Sequence, residues 1–174
     1  MLGKYQIERP LGHGGMGVVF MAYDATLERK LAIKVLGSPG AGEAPRAQLL
    51  REARSASALN HPNICTIYEV GEARLRPEPA SSNECCAFIA MEFIDGRSVS
   101  DLVQAGPLQV HDAVRYGIEA ADALAHAHDR GVVHRDLKAA NALVSSGGRL
   151  KIVDFGLAQR MVPSGPDAPT LWPT

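Results

Sequence analysis

Along the first ninety-odd residues the apolar positions fall in short runs rich in Val, Ile, Tyr and Phe, separated by Gly and Pro. Such runs predict strands. They lie at 5–11 (YQIERPL), 18–23 (VVFMAY), 30–36 (KLAIKVL), 64–71 (ICTIYEVG) and 86–94 (CAFIAMEFI). One stretch breaks the series. RAQLLREARSASALN, 46–60, has no internal breaker and sets Leu49, Ala53, Ala56 and Leu59 on one helical face. That helix should stop at Asn60-His61-Pro62. The segments 37–45 and 72–84 read as loops from their Gly, Pro and polar content.

Near Asp95-Gly96 the spacing becomes helical. SVSDLVQAG is a short helix candidate with Ser98 or Ser100 as its cap. Residues 110–131 form the longest periodic helix. Ala113, Tyr116, Ile118, Ala120, Ala123, Leu124 and Ala127 outline a broad apolar face, ended by Gly131. Short strands and loops follow through VVHRDLKAANALVSS and RLKIVDFG, with no internal repeat.

Composition narrows the functional classes. The 174 residues are 46% apolar and 21% charged, the profile of a globular chain. A net charge of -1 gives no basic face for bulk nucleic-acid binding. Three cysteines, with Cys85 and Cys86 adjacent, suit neither a disulfide framework nor metal spacing, so reduced thiols are expected. The N-terminus lacks the apolar core of a signal peptide. No run approaches the ~18 apolar residues of a membrane span. A soluble, cytoplasmic chain is the expectation.

Three stretches carry candidate chemistry. GHGGMG, Gly12 to Gly17, fits G-x-G-x-x-G, but VVFMAY follows it and starts a helix poorly. The loop therefore reads as a hairpin tip whose backbone can approach phosphates. An ordinary Gly-rich turn is the competing reading. Lys34 lies on the face of its strand opposite Leu31, Ile33 and Val35, and there needs solvent or a partner. Glu52, in the helix at 46–60, is the natural partner, and an edge-strand surface lysine is the alternative. Finally, His134, Arg135, Asp136, Lys138 and Asn141 crowd into VVHRDLKAAN. Asp136 could accept a hydroxyl proton, Lys138 could neutralise a phosphoryl group, and Asn141 offers a neutral oxygen to a cation. Asp154, at a strand end before Phe155-Gly156, suits Mg²⁺.

Taken in order, GHGGMGVV, AIK, a helix Glu, HRDLKAAN and DFG resemble the motif set of eukaryotic-type protein kinases, in their bacterial serine/threonine branch. The resemblance spans Tyr5 to Arg160. It implies an α+β, two-lobe kinase fold: a complete β-rich N-lobe over 1–94, with five strands and one helix, and an incomplete helical C-lobe over 95–174. It implies ATP and Mg²⁺ as cofactors. Leu11, Gly12, Gly14, Gly15 and Gly17 would cover the nucleotide. Val19 and Ala32 would sandwich the adenine, Met91 would back the pocket, and the backbone of Glu92 and Ile94 would bind the base. Lys34, paired with Glu52, would hold phosphates. Asp136 would be the catalytic base, Lys138 a γ-phosphate contact, and Asn141 and Asp154 the Mg²⁺ ligands. His134 and Phe155 would pack beside Ala56.

The implied reaction is γ-phosphoryl transfer from ATP to a protein hydroxyl. Lys138, two residues after Asp136, favours Ser/Thr acceptors, although Ala139 replaces the family's common Pro. The family continues past DFG through an activation loop and further helices, so the chain is expected to end within that loop. Its long helix would then expose apolar surface open to association. Thr170 and Thr174 lie where phosphorylation could occur, with Arg135 as phosphate partner. Besides an active kinase, two readings stand: an ATP–Mg²⁺-binding chain without turnover and, far less compatible with the motifs, an unrelated nucleotide-binding protein.

Overall fold

The computed structural model describes residues 2–14, 17–36, 50, 51, 53–74 and 85–155. Each of the five apolar runs becomes a strand: β1 (Tyr5–Gly14), β2 (Gly17–Asp24), β3 (Arg29–Leu36), β4 (Ile67–Arg74) and β5 (Cys85–Glu92). They form one antiparallel sheet in the order β1-β2-β3-β5-β4. Pro10 is tolerated because β1 is an edge strand, and its pairing is irregular on either side of Arg9-Pro10.

β3 is buried on both sides from Leu31 to Leu36. Leu31, Ile33 and Val35 pack with Tyr5, Phe88 and Ala90 on one face. Ala32 and Leu36 meet Ala53, Ile89 and Met91 on the other. The edge-to-face contact of Tyr5 and Phe88, centroids 5.9 Å apart, belongs to the first of these layers.

Helix α1 is described at positions 50, 51 and 53–57, so Leu49 and Glu52 lie outside the described residues. Ala53 faces the sheet. Ala56 and Leu59 instead join a second core with Ala123, Ala127, Leu150, Ile152 and Phe155. One predicted helical face therefore serves two bodies.

A second, three-stranded sheet follows: β6 (Gly96–Ser98), β7 (Ala142–Ser145) and β8 (Leu150–Ile152). β6 is not predicted by the sequence pattern, since three residues are too few to show a period. Gly96 is needed there, because a Cβ would sit 2.0 Å from the Val144 carbonyl oxygen.

Helix α2 (Val99–Ala105) starts at Ser98, one of the two expected caps, in a capping box with Asp101. Helix α3 (Val110–His128) ends as expected. Gly131 takes φ 71°, its N–H donates to the His128 carbonyl, and the Val132 N–H donates to that of Ala127.

The broad apolar face expected for α3 needs correction. Ala123 and Ala127 are buried, with Tyr116, Ala120 and Leu124 packed beside them. Ala113 is exposed and Ile118 is 65% exposed. Val110, Val114 and Ile118, four residues apart, form a separate apolar stripe facing outward.

The two bodies are sewn together by residues 61–66. The Asn63 amide donates to the Leu150 carbonyl (2.8 Å), and Glu119 of α3 accepts from both the Leu150 N–H (2.7 Å) and the Asn63 amide (3.3 Å). Ile152 N–H donates to the Asn63 carbonyl, and Cys65 N–H to the Ile152 carbonyl. No helix of the described residues is long and apolar enough to cross a membrane.

Candidate active site

Between the two sheets lies a cleft of about 500 Å³. β1 contributes Leu11 and Gly12, β2 Val19, and β3 Ala32. Met91, Glu92 and Ile94 supply the wall where the chain passes from one body to the other. Every one of these had been singled out in the sequence. Cys65, Leu143 and Val153 also line the cleft, and the sequence reading missed them. Leu143 and Val153 flank the HRDLKAAN and DFG stretches, but nothing local says that they share a floor.

The glycine stretch is a hairpin tip, with Gly14 facing Gly17 across β1 and β2. Gly15 lies outside the described residues. Gly17 has φ 131°, and a Cβ there would stand 1.9 Å from the Val35 carbonyl oxygen, so only glycine fits. At Gly12 a Cβ would meet nothing within 4 Å, which leaves the cleft mouth open on that side.

Lys34 is 4% exposed and does not sit on an edge strand, since β3 is central. Its Nζ lies 2.8 Å from Asp154 Oδ2. The expected Glu52 partner falls outside the described residues. A nearly buried ammonium requires a nearby anion, and Asp154 supplies one among the described residues.

The segment from His134 to Phe155 folds around a few strong contacts. His134 Nε2 donates to the Val153 carbonyl at 2.8 Å, and its ring lies 4.8 Å from that of Phe155. Phe155 reaches the core containing Ala56, as expected. Asp136 Oδ2 accepts from Lys138 Nζ (2.7 Å) and from the Asn141 amide (3.2 Å). The same amide also donates to the Asp136 carbonyl (2.8 Å). With its nitrogen held in this way, Asn141 has its side-chain oxygen as the remaining acceptor. Val153 N–H donates to the Asn141 carbonyl, which binds the approach to Asp154 to the loop. Lys138, then Asn141, hold the Asp136 carboxyl below the ordinary carboxylate range, so it is ionised at neutral pH.

Two non-glycine residues here have left-handed backbones: Arg135 at φ 65° and Asp154 at φ 64°. Each such conformation costs on the order of 1–3 kcal/mol and persists only where surrounding contacts impose it. Both occur among the charged residues of this segment, held there by the contacts just described.

The donor set fits one kind of metal. Among the described residues no group of three or more His, Cys, Asp or Glu is arranged to hold an ion unaided. One carboxylate and one amide oxygen suit Mg²⁺, which keeps waters and takes its other ligands from phosphates.

The protein kinase domain family model matches residues 5–171. The serine/threonine-protein kinase PrkC of Bacillus subtilis is 39% identical over 158 residues, 90% of this chain and 23% of PrkC. The serine/threonine-protein kinase PknB of Mycobacterium leprae is 36% identical over 163 residues, 92% of this chain and 25% of PknB. The chain thus spans about a quarter of these curated relatives. Among solved structures, the Mycobacterium tuberculosis PknI kinase domain superposes with a TM-score of 0.75 at 30% identity, covering 91% of this chain and 62% of that one.

Proposed function

The chain belongs to the protein kinase domain family, in its bacterial serine/threonine branch, and on that premise we propose that it transfers the γ-phosphoryl group of ATP to Ser or Thr hydroxyls of a protein substrate. The observation that carries the proposal is the Lys34–Asp154 ion pair at a cleft of nucleotide size, with the approach to Asp154 tied through Val153 to the loop in which Lys138 and Asn141 hold Asp136.

In this reading the base lies between Val19 and Ala32 above and Leu143 below, with the backbone of Glu92 and Ile94 at its polar edge. Met91 closes the back of the cleft. Leu11 and the glycines 12, 14, 15 and 17 cover the phosphates. Lys34 binds phosphate oxygens and, paired with Asp154 or Glu52, keeps a fixed position. Asp136, ionised and steadied by Asn141, orients the acceptor hydroxyl and takes its proton. Lys138, now on Asp136, also reaches the transferring group. Mg²⁺ bound with the nucleotide would be held by Asn141 and Asp154 and would offset phosphate charge. The reading divides the chain into an N-lobe, 1–94, and a C-lobe portion, 95–174.

A second reading is nucleotide binding without turnover. The outward apolar stripe Val110, Val114 and Ile118 among the described residues favours it, because such a surface ordinarily seeks a covering partner. Titration with a fluorescent ADP analogue, with and without Mg²⁺, measured beside transfer of labelled γ-phosphate to a generic Ser/Thr protein, separates the readings. Mg²⁺-dependent binding with transfer abolished by Asp136→Asn supports the kinase. Binding with no transfer supports the second reading. Absence of binding sinks both.

A further inference from the structure

Lys151 belongs to β8, three residues before Asp154, and no part of the kinase chemistry described above uses it. Its Nζ lies 2.8 Å from Glu92 Oε2, with the two side chains only 16% and 25% exposed. The same carboxylate oxygen accepts from the Thr66 N–H at 3.3 Å. Glu92 N–H donates back to the Thr66 carbonyl at 2.8 Å, and the Cys65 thiol donates to the Glu92 carbonyl at 3.6 Å. Cys65 N–H in turn donates to the Ile152 carbonyl, beside Lys151. Three backbone segments, 65–66, 92 and 151–152, are thereby held in one net at the back of the cleft.

Glu92 is the residue through which the chain leaves the first sheet, and it lines the cleft. Its carboxylate is drawn toward β8 by Lys151. Its N–H is already taken by Thr66, so the carbonyl and the following residues are what it can present to a ligand. With both side chains largely shielded from water, deleting one partner leaves the other's charge poorly compensated. A Glu92 carboxylate without Lys151 would turn toward water and rotate the backbone that borders the cleft.

We propose that Lys151 is a positioning residue for the nucleotide, acting through Glu92 to fix the backbone of residues 92–94 and tying that recognition edge to the strand leading into Asp154. The proposal rests on the nucleotide-binding reading of the cleft.

The test is titration of the full chain with a fluorescent ADP analogue, with and without Mg²⁺, for the wild type, Lys151→Met, Lys151→Arg and Glu92→Gln. Lys151→Met should weaken binding about tenfold, equally with and without Mg²⁺, because Asn141 and Asp154 are untouched. Lys151→Arg should restore affinity to within about threefold of the wild type. Where transfer is measured, KM for ATP should rise while kcat holds. Glu92→Gln keeps an acceptor for Thr66 but removes the charge pair, and should weaken binding about threefold even if Lys151→Met does not fold. Affinities within about twofold of the wild type for both Lys151→Met and Glu92→Gln, whatever their unfolding midpoints, overturn the proposal. If Lys151→Met yields no folded protein, an unchanged Glu92→Gln overturns it alone. A wild type that binds no ADP analogue overturns the nucleotide reading itself, and this proposal with it.

Discussion

The sheet β1–β5 and the segment 134–155 border the same cleft but are built on opposite principles. The sheet is covered on both faces by apolar residues, and its one buried lysine, Lys34, is paired. The segment 134–155 is polar and partly exposed around Asp136 and Lys138. The Asp136 and Lys138 side chains are 44% and 55% accessible, and two of its residues hold strained backbones. Binding a flat, largely apolar base needs a rigid wall. Presenting charges to a phosphoryl group and a hydroxyl needs groups that substrate can reach. The division teaches that substitutions in the sheet should act through stability and nucleotide affinity, whereas those in the segment should act on the chemical step.

The strongest challenge to that division is Asp136→Asn. Loss of the carboxylate should lower phosphoryl transfer by about 10²–10⁴-fold while affinity for the ADP analogue stays within about twofold of the wild type. Parallel loss of binding would show that the two regions are not separable.

Ile33→Ala probes the other side. Ile33 is fully buried at the centre of the sheet. Its truncation should cost about 2–5 kcal/mol in chemical denaturation. Whatever activity remains in the folded fraction should keep its kcat, and a lowered kcat there would break the comparison.

A smaller effect tests the join between the bodies. The His61 ring, from the segment between α1 and β4, lies tilted against His126 of α3 with centroids 4.8 Å apart, and His61 Nε2 lies 3.1 Å from Asp122. Burial first, then Arg130 and His61, lower the His126 pKa, against a smaller upward pull from Asp122 and Asp129. His126 Nε2 is buried with no hydrogen-bond partner. A histidine whose folded pKa is below its unfolded value near 6.5 contributes its stability fully above that value and loses it as pH falls toward the folded one. The midpoint of thermal unfolding should therefore drop between pH 7.5 and pH 5.5, and His126→Phe should flatten that drop. An unchanged pH profile in the variant would remove His126 from the account.

The smallest effect concerns the outward stripe on α3. Val114→Lys with Ile118→Glu should change stability by no more than about 0.5 kcal/mol each, because neither side chain is packed inward. Sedimentation or light scattering should show less self-association than in the wild type. A large loss of stability would mean that these residues belong to the core after all.

Much of this was legible in the chain before any coordinates. The strand runs at 5–11, 18–23 and 30–36 are strands because alternation and β-branching are local properties. Ser98 and Gly131 mark helix ends because capping depends on a few neighbouring atoms. The cleft residues Val19, Ala32, Met91 and Ile94 were found by motif register, and geometry then placed them together. What escaped were relations between distant segments. Pattern alone put Ile118 on the wrong side of α3, because a helix with apolar residues on most of its surface does not reveal which stripe meets a core.

Sequence by itself thus determined most of the elements that form, the three-residue β6 excepted, and the kinase family to which the chain belongs. Periodicity and motif spacing are written along the chain at short range. Tertiary structure alone decided what the side chains face. It set Asp154 beside Lys34, brought Leu143 and Val153 under the cleft, gave Gly96–Ser98 a strand partner, and joined Lys151 to Glu92 across 59 residues. Each of these depends on long-range packing, in which burial leaves a charge or a backbone group only one partner within reach, and no local pattern encodes which one.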